Sequence, residues 1–407
     1  MQEKAPLLSV ADALDFLLNA VKPLTAQSLI ATEHANGRVL ATAQVADIDV
    51  PGMDNSQMDG YAVRAADCLR GSARLPVSQR ILAGQQALPL AAGSAARIFT
   101  GAPMPLGADA VVMQEACVAD ETHVSIQQIP QAGEWVRRRG EDIGTGDVLL
   151  AAGTRLRAQE LGLAASVGLA QLPVVSRPRV AVFFTGDELV MPGEALRPGT
   201  IYNSNRFLLR GLLENLGCEI TDYGIVEDNL ESTRATLRRA AQEHDVIITS
   251  GGVSVGDADH VKPAVQAEGR LNLWQIAMKP GKPLAFGEVD RATGGFAWFF
   301  GLPGNPVSSF VTFLILVRPF LLRLQGVTDV APHRYPLRAD FTWAKPDRRQ
   351  EFLRARLNAD GGLDLFPQQG SAVLTSTVWG DGLIDNPPGH AIAQGDTVGF
   401  IPFSELR

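Results

Sequence analysis

The spacing of apolar residues divides the chain into segments of three kinds. Near the N-terminus, Leu14, Leu17 and Val21 recur at helical spacing after Ser9, which predicts a helix with Ser9 as its N-cap. From about residue 38 to residue 150, short β-rich runs lie between Gly, Pro and Asp residues, which predicts irregular β units. From Arg179 onward, apolar runs alternate with helical patterns.

The alternating region indicates its architecture most clearly. Its predicted strands are Val180–Phe184, Ile220–Val226, Val246–Thr249 and Phe296–Phe300, and its predicted helices are Asn203–Leu216, Leu230–Glu243 and Pro306–Leu324. Strands and helices that alternate in this way form βαβ units around a mostly parallel sheet. After Gly326, β-rich runs return at Tyr335–Ala339, Glu351–Leu357 and Thr397–Ile401. The predicted fold class is therefore multi-domain α/β plus β, with a small C-terminal β domain.

Composition narrows the class of protein. The 407 residues are 46% hydrophobic and 20% charged, and the net charge is −8. These values exclude a disordered chain and argue against nucleic-acid or membrane partners, which favour basic surfaces. The most membrane-like run, Phe310–Val317, is too short to span a bilayer, so we expect a buried helix there. The N-terminus lacks signal-peptide order and the three cysteines lack CxxC spacing, which predicts a cytoplasmic protein.

The loops that follow the predicted strands hold the candidate chemistry, because ligands of open α/β sheets bind beyond the carboxyl ends of the strands. The four loops are 185–188, 227–229, 250–259 and 301–308. The third loop contains Ser250, Gly251, Gly252 and Ser254, and it matches neither the Walker A nor the GxGxxG motif. Because these residues are small, backbone N–H groups of the loop could approach an anion closely. The alternative is a loop that only turns sharply. The fourth contains Pro303 and then Asn305, which suits the N-cap of a helix with Ser308 in its first turn.

Carboxylates lie in three of these loops, and lysines cluster just after the third. The acidic residues are Asp187, Glu188, Asp228, Asp257 and Asp259, and such hard oxygen ligands suit Mg²⁺. For Asp187 we prefer the interpretation that it caps a helix or lies in a solvated turn, rather than that it binds a metal. Three of the six lysines lie between residues 262 and 282, and Lys279 and Lys282 share the turn 278–283 with two prolines. The residues alone therefore predict a Mg²⁺-assisted enzyme that handles an anionic, phosphate-bearing substrate.

Five ordered motifs carry a family resemblance. They are Met58-Asp-Gly-Tyr-Ala62, Thr185-Gly-Asp-Glu-Leu189, the segment 250–262, Met278-Lys-Pro-Gly-Lys-Pro283 and Gly301-Leu-Pro-Gly-Asn-Pro-Val-Ser308. Together they resemble the molybdopterin molybdenumtransferase (MoeA) family, whose animal relative is the gephyrin E domain. The resemblance implies an elongated homodimer of four-domain subunits. The implied domains are a discontinuous one (1–26 and 147–177), an inserted β-rich one (27–146), an α/β molybdopterin-binding one (178–328) and a C-terminal β one (329–407).

The resemblance also implies a reaction and a set of residues. Adenylylated molybdopterin and molybdate are the substrates, AMP is released and Mg²⁺ is required. The implied roles are Mg²⁺ ligation by Asp228 and Asp259, an active-site carboxylate at Glu188, and oxyanion or phosphate contacts at Lys279 and Lys282. The implied substrate contacts are Ser250, Gly251, Gly252, Ser254, Pro303, Asn305, Ser308 and Ser371. Asp59 and Thr100 are expected to reach the cleft of the partner subunit.

One departure and two alternatives accompany this resemblance. Gln275 stands where family members often carry a basic residue, so the affinity for substrate or the handling of molybdate is expected to differ. The molybdopterin adenylyltransferase, a possible partner, shares the α/β domain and its Ser-Gly-Gly loop, but it is normally a single small domain. A gephyrin-like scaffold would need a long docking linker, which this sequence lacks.

Overall fold

A computed structural model describes residues 7–69, 71–252 and 260–406. The helices are α1 (Val10–Ala20), α2 (Ala158–Ser166), α3 (Ser204–Asn215), α4 (Leu230–Glu243), α5 (Val261–Glu268), α6 (Pro306–Thr312), α7 (Arg318–Leu324) and α8 (Thr375–Trp379). Short 3₁₀ turns lie at Thr32–His34, Ala65–Asp67, Gln114–Ala116 and Phe403–Leu406. A π-helical segment, Phe313–Val317, joins α6 to α7.

The strands fall into three groups along the chain. The first group is β1 (Gln27–Ala31), β2 (Gln44–Val45), β3 (Asn55–Ser56), β4 (Gly60–Val63), β5 (Ala73–Ile81), β6 (Ala95–Ile98), β7 (Ala110–Met113), β8 (Cys117–Ala119), β9 (His123–Ile126), β10 (Val136–Arg137), β11 (Val148–Leu150) and β12 (Gln171–Val175). The second is β13 (Arg179–Thr185), β14 (Leu189–Val190), β15 (Ile201–Tyr202), β16 (Glu219–Val226), β17 (Val246–Ser250), β18 (Gly269–Gln275), β19 (Met278–Lys279), β20 (Pro283–Asp290) and β21 (Phe296–Leu302). The third is β22 (Tyr335–Arg338), β23 (Gln350–Leu357), β24 (Leu363–Leu365), β25 (Gly382–Asn386) and β26 (Thr397–Pro402).

The central α/β sheet has six strands in the order β16-β13-β17-β21-β20-β18. The first four strands are parallel, and β20 and β18 continue the sheet antiparallel. The mostly parallel sheet predicted from the sequence is confirmed, but the two antiparallel strands were not predicted. These two strands pair with each other on either side of the 276–282 turn. No helical pattern separates them in the sequence and their apolar runs are short, so the alternation of strands and helices did not indicate them.

Two further six-stranded sheets confirm the β-rich regions. One has the order β7-β4-β6-β5-β9-β8 and lies in the predicted inserted domain. The other belongs to the C-terminal domain and has the order β19-β23-β25-β26-β22, with β24 paired to β23. Strand β19 is part of the α/β segment of the chain, yet it pairs in parallel with β23. The C-terminal domain is therefore joined to the α/β domain by backbone hydrogen bonds.

The N-terminal helix shares an apolar core with the central sheet, and the domain division stays a prediction. Ser9 caps α1 as predicted, because its hydroxyl accepts a hydrogen bond from the Asp12 N–H at 3.0 Å. The buried face of α1, including Ala13 and Leu17, belongs to the same apolar core as strands β13 and β17. Residues 1–26 were expected to group with residues 147–177. Strand β1 begins at residue 27, the first residue of the expected inserted domain. It nevertheless pairs with β12, which lies in the segment 147–177 of the expected discontinuous domain.

One helical stretch of the described residues, Pro306–Leu324, is long and apolar enough to cross a membrane by length and composition alone. It is 89% buried inside the fold, where Phe320 packs edge-to-face on Phe286 and Phe300. The prediction of a buried helix at Phe310–Val317 is confirmed. The three cysteines, Cys68, Cys117 and Cys218, are free thiols.

Candidate active site

A cavity of about 690 Å³ lies where strands β13, β17 and β21 end, and the C-terminal domain forms its far wall. Most of the substrate-contacting residues predicted from the sequence line it: Glu188, Ser250, Gly251, Gly252, Lys279, Lys282, Pro303, Asn305, Ser308 and Ser371. Loops from three of the four parallel strands therefore converge, whereas the described residues of the 227–229 loop do not line the cavity. Gln275, the departure from the family pattern, is not among the lining residues in the described part of the chain.

The hydroxyl of Ser250 connects three of these elements. It accepts a hydrogen bond from Asn205 Nδ2 at 2.7 Å and donates one to the Pro303 carbonyl at 3.0 Å. The same Asn205 amide donates to the Gly304 carbonyl at 2.8 Å. Because Asn205 lies in the first turn of α3, this network holds β17, α3 and the 301–305 loop at fixed spacing.

Glycine is required at position 251 by close packing. Its φ is +97°, and a Cβ there would lie 2.7 Å from the Thr185 carbonyl oxygen. The Gly251 N–H donates to the Leu302 carbonyl at 3.2 Å. That donor is therefore used inside the fold, and anion binding by the other N–H groups of this loop stays a prediction.

The N-terminus of α6 is also partly occupied. Asn305 is the N-cap and Pro306 the first helical residue, as predicted, but the Asn305 side chain makes no capping hydrogen bond. The Val307 N–H instead donates to the Ser371 carbonyl at 3.0 Å. Ser371 therefore contributes its backbone oxygen to the helix start, and the C-terminal domain closes this end of the cavity.

Several buried polar atoms at the end of β13 and at the start of α3 have no hydrogen-bond partner among the described residues. Thr185 Oγ1, Asn203 Nδ2 and Asn205 Oδ1 belong to residues that line the cavity. Buried polar groups are normally paired, since an unpaired one costs about 1–3 kcal/mol. Unpaired atoms at this position indicate a polar ligand. Asn203, Asn205, Arg349 and Gln369 were missed in the sequence, where no motif distinguishes them from structural residues.

The two lysines of the 278–283 turn lie in different environments. The Nζ of Lys279 is 3.1 Å from Glu351 Oε1 and 3.5 Å from Asp347 Oδ2. Lys282 is exposed and makes no ion pair within the described ranges. Arg349, which also lines the cavity, pairs with Asp347 at 2.8 Å and holds the pKa of that carboxyl well below its usual range.

One of the two predicted metal carboxylates, Asp228, lies near Glu188, which lines the cavity. Asp228 follows β16, and its Oδ1 is buried without a hydrogen-bond partner among the described residues. Burial raises the pKa of Asp228; the charge of His260 lowers it, while those of Asp187 and Glu188 raise it. The described residues contain no cluster of three or more metal-ligating side chains. Asp259, Asp257 and Ser254 lie outside the described residues.

Asp59 and Thr100 contact each other away from the cavity. Asp59 Oδ1 accepts hydrogen bonds from the Thr100 N–H and hydroxyl, both at 2.8 Å, and these bonds lower the pKa of Asp59. In the described part of the chain no residue of the inserted region lines the cavity. The structure brings the two residues together, and their role toward a partner subunit stays a prediction.

Comparison with known proteins covers nearly the whole chain. Family models match in order: the MoeA N-terminal region (domain I and II) at residues 8–168, a probable molybdopterin binding domain at 181–323 and the MoeA C-terminal region (domain IV) at 336–403. The Haemophilus influenzae molybdopterin molybdenumtransferase is 38% identical and covers 98% of this chain and 100% of its own. The Nostoc enzyme of the same name is 37% identical over 90% of this chain and 86% of its own.

Solved structures agree with this match. The molybdopterin biosynthesis MoeA protein of Pyrococcus horikoshii superposes with a TM-score of 0.85 at 26% identity, covering 98% of this chain and 100% of its own. Another solved molybdopterin biosynthesis MoeA protein from Pyrococcus horikoshii gives a TM-score of 0.77 at 31% identity, over 98% and 99% of the two chains. With three family models in order and full-length relatives above 30% identity, the chain belongs to the MoeA family, the molybdopterin molybdenumtransferases of molybdenum cofactor biosynthesis.

Proposed function

We propose that this enzyme inserts molybdenum from molybdate into adenylylated molybdopterin, releases AMP and leaves the metal on the pterin dithiolene. The observation that carries the proposal is the cavity. It joins two lysines and Arg349 to unpaired polar atoms at the end of β13 and the start of α3, and so suits a substrate with a nucleotide phosphate and a second oxyanion. Among the described residues no cysteine lines it, which fits a reaction in which the pterin supplies the sulfur.

The roles of the lining residues follow from their positions. Lys279, Lys282 and Arg349 bind and orient the oxyanions, since cations held in a partly enclosed cavity stabilise negative charge better than in water. Ser250 and Asn205 keep the two substrate loops at fixed spacing. The backbone of Ser371 and neighbouring Gly370 closes the cavity from the C-terminal domain.

Mg²⁺ fits the carboxylate side of this site. The observation that supports it is the buried, unpaired oxygen of Asp228 beside the charges of Asp187 and Glu188, an arrangement that is costly without a cation. Asp228 would hold the ion together with Asp259. When bound, the ion neutralises phosphate oxygens at the bond that is cleaved.

We also propose that the protein is a cytoplasmic homodimer with two composite sites, each using Asp59 and Thr100 from one chain and Asp228 from the other. Asp59→Asn and Asp228→Asn homodimers should both be inactive. Random re-association of equal amounts gives about half mixed dimers, in which one site collects both lesions and the other neither. Activity should therefore return to about a quarter of the wild-type value. Confirmed subunit exchange without any recovery would exclude the shared site.

The direct test is to incubate the protein with adenylylated molybdopterin, molybdate and Mg²⁺ and to measure AMP and molybdenum-bound pterin. Formation of both products, dependent on molybdate and abolished by EDTA, is expected. A parallel incubation with ATP and molybdopterin tests the adenylyltransferase alternative. Pyrophosphate release there, without AMP release in the first reaction, would overturn the proposal.

A further inference from the structure

Lys279 forms an ion pair with Glu351, a buried carboxylate of the C-terminal domain. The Glu351 side chain is 0% exposed, whereas that of Lys279 is 35% exposed and reaches the cavity. The distance between Lys279 Nζ and Glu351 Oε1 is 3.1 Å. The ion pair therefore joins a lining residue to a group that solvent and substrate cannot reach.

Backbone pairing places the two residues opposite each other. Strand β19 joins the C-terminal sheet by parallel pairing with β23, and in this register Lys279 is the partner of Glu351. Directly paired residues project on the same face of a sheet. The carboxylate is therefore set by the ladder between the two domains rather than by a flexible loop.

The charge of Glu351 is matched by Lys279. Its second oxygen, Oε2, accepts hydrogen bonds from Trp343 Nε1 at 2.8 Å, from the Asp347 N–H at 3.1 Å and from Asn386 Nδ2 at 3.5 Å. These three donors are neutral, and a neutral amide oxygen would satisfy them equally well. A fully buried carboxylate is costly unless a cation compensates it, and Lys279 lies in hydrogen-bond range to do so.

The neighbouring lysine provides a contrast. Lys282 is three residues further along the same turn and lines the same cavity, but it is exposed and makes no ion pair in the part of the chain that the structure describes. One cation of the turn is thus held rigidly, while the other keeps its rotamer freedom. Holding a long side chain in one geometry in advance lowers the entropy cost of ligand binding.

We propose that Glu351 is a positioning residue for Lys279, so that the C-terminal domain sets the affinity of the cavity for its oxyanion. This inference rests on the proposed role of Lys279 as an oxyanion contact. Glu351 does not touch substrate. It acts only through the ammonium group that it orients.

The kinetic test uses Glu351→Gln, which keeps the shape and the neutral hydrogen bonds but removes the charge. The KM for molybdate should rise about tenfold while kcat changes less than about twofold. In a Lys279→Gln background, Glu351→Gln should have no further effect on this KM. Additive effects of the two substitutions, or a fall in kcat at unchanged KM, would overturn the proposal.

A matched control is available on the neighbouring strand β25. Asp385 is also largely buried, at 11% exposure, and pairs with Arg334 at 2.9 Å, but it does not line the cavity. Asp385→Asn should leave the KM for molybdate unchanged. An equal rise in KM in both variants would show that loss of any buried carboxylate in this domain is responsible, which would refute positioning by Glu351.

A second measurement needs neither turnover nor a folded variant. In the wild-type protein, brief treatment with acetic anhydride should acetylate Lys279 at least about tenfold more slowly than Lys282, as measured by peptide mass spectrometry. Equal rates would refute the ion pair itself. Slow labelling of Lys279 combined with a normal molybdate KM in Lys279→Gln would refute the proposed oxyanion role and leave the pairing intact.

Discussion

The Ser250 network allows a prediction with an internal control. Ser250→Ala removes a hydroxyl that accepts from Asn205 at 2.7 Å and donates to the Pro303 carbonyl at 3.0 Å. The residue is 3% exposed, so water cannot replace either partner without opening the loop. Two lost hydrogen bonds at about 1 kcal/mol each, plus a stranded amide N–H, give about 2–4 kcal/mol of local destabilisation.

The preceding residue supplies the control. Thr249 is 0% exposed, and its hydroxyl has no hydrogen-bond partner among the described residues. Thr249→Val keeps the shape and removes an unpaired polar atom, so its free-energy change should be about zero or slightly stabilising. The two substitutions therefore differ in hydrogen bonding much more than in volume.

Hydrogen exchange is the appropriate assay, because a multi-domain chain does not unfold in a single two-state step. Amides of β17 should exchange about 30-fold to 800-fold faster in Ser250→Ala, the factor that corresponds to about 2–4 kcal/mol. Thr249→Val should exchange at the wild-type rate. The KM for the pterin substrate should rise only in Ser250→Ala, since its loops lose their fixed spacing. Equal protection in the two variants would refute the reasoning.

Three further outcomes follow from the charges and thiols. Asp228→Asn should stay folded at pH 7, because burial and neighbouring carboxylates already raise the pKa of Asp228. The variant should need about tenfold more Mg²⁺ for AMP release. An unchanged Mg²⁺ titration would contradict the metal role of Asp228. Burial raises the pKa of Cys218 to about 12, so iodoacetamide at pH 8 should leave this thiol unmodified until the protein is denatured; labelling at the denatured rate would contradict this. Hydrogen bonds from Thr145 lower the pKa of Asp49 to about 2, so the ionised carboxylate stabilises the folded state above pH 4 and this stabilisation is lost as pH falls toward 2. Asp49→Asn should therefore flatten the dependence of the melting temperature on pH in this range. An unchanged slope would show that Asp49 does not cause it.

The elements that were predicted well are those with a strong local signal. The α1 cap at Ser9 and the start of α6 at Pro306 were predicted because capping depends on neighbouring residues only. The parallel strands were predicted from short apolar runs between helical patterns. The antiparallel strands β18 and β20 were missed, because their pairing depends on a turn of Pro and Gly residues rather than on periodicity.

The candidate site shows the same division. The sequence by itself determined which loops meet, because strand ends in a parallel sheet lie on one edge, and five motifs were sufficient to recognise the family. Only the tertiary structure decided how their groups are used. The Gly251 N–H is taken up by Leu302, the Val307 N–H by Ser371, and the Lys279 charge by Glu351, 72 residues further along the chain. These partners come from other segments and domains, and no local pattern specifies which distant atom will occupy a given donor once the domains have packed.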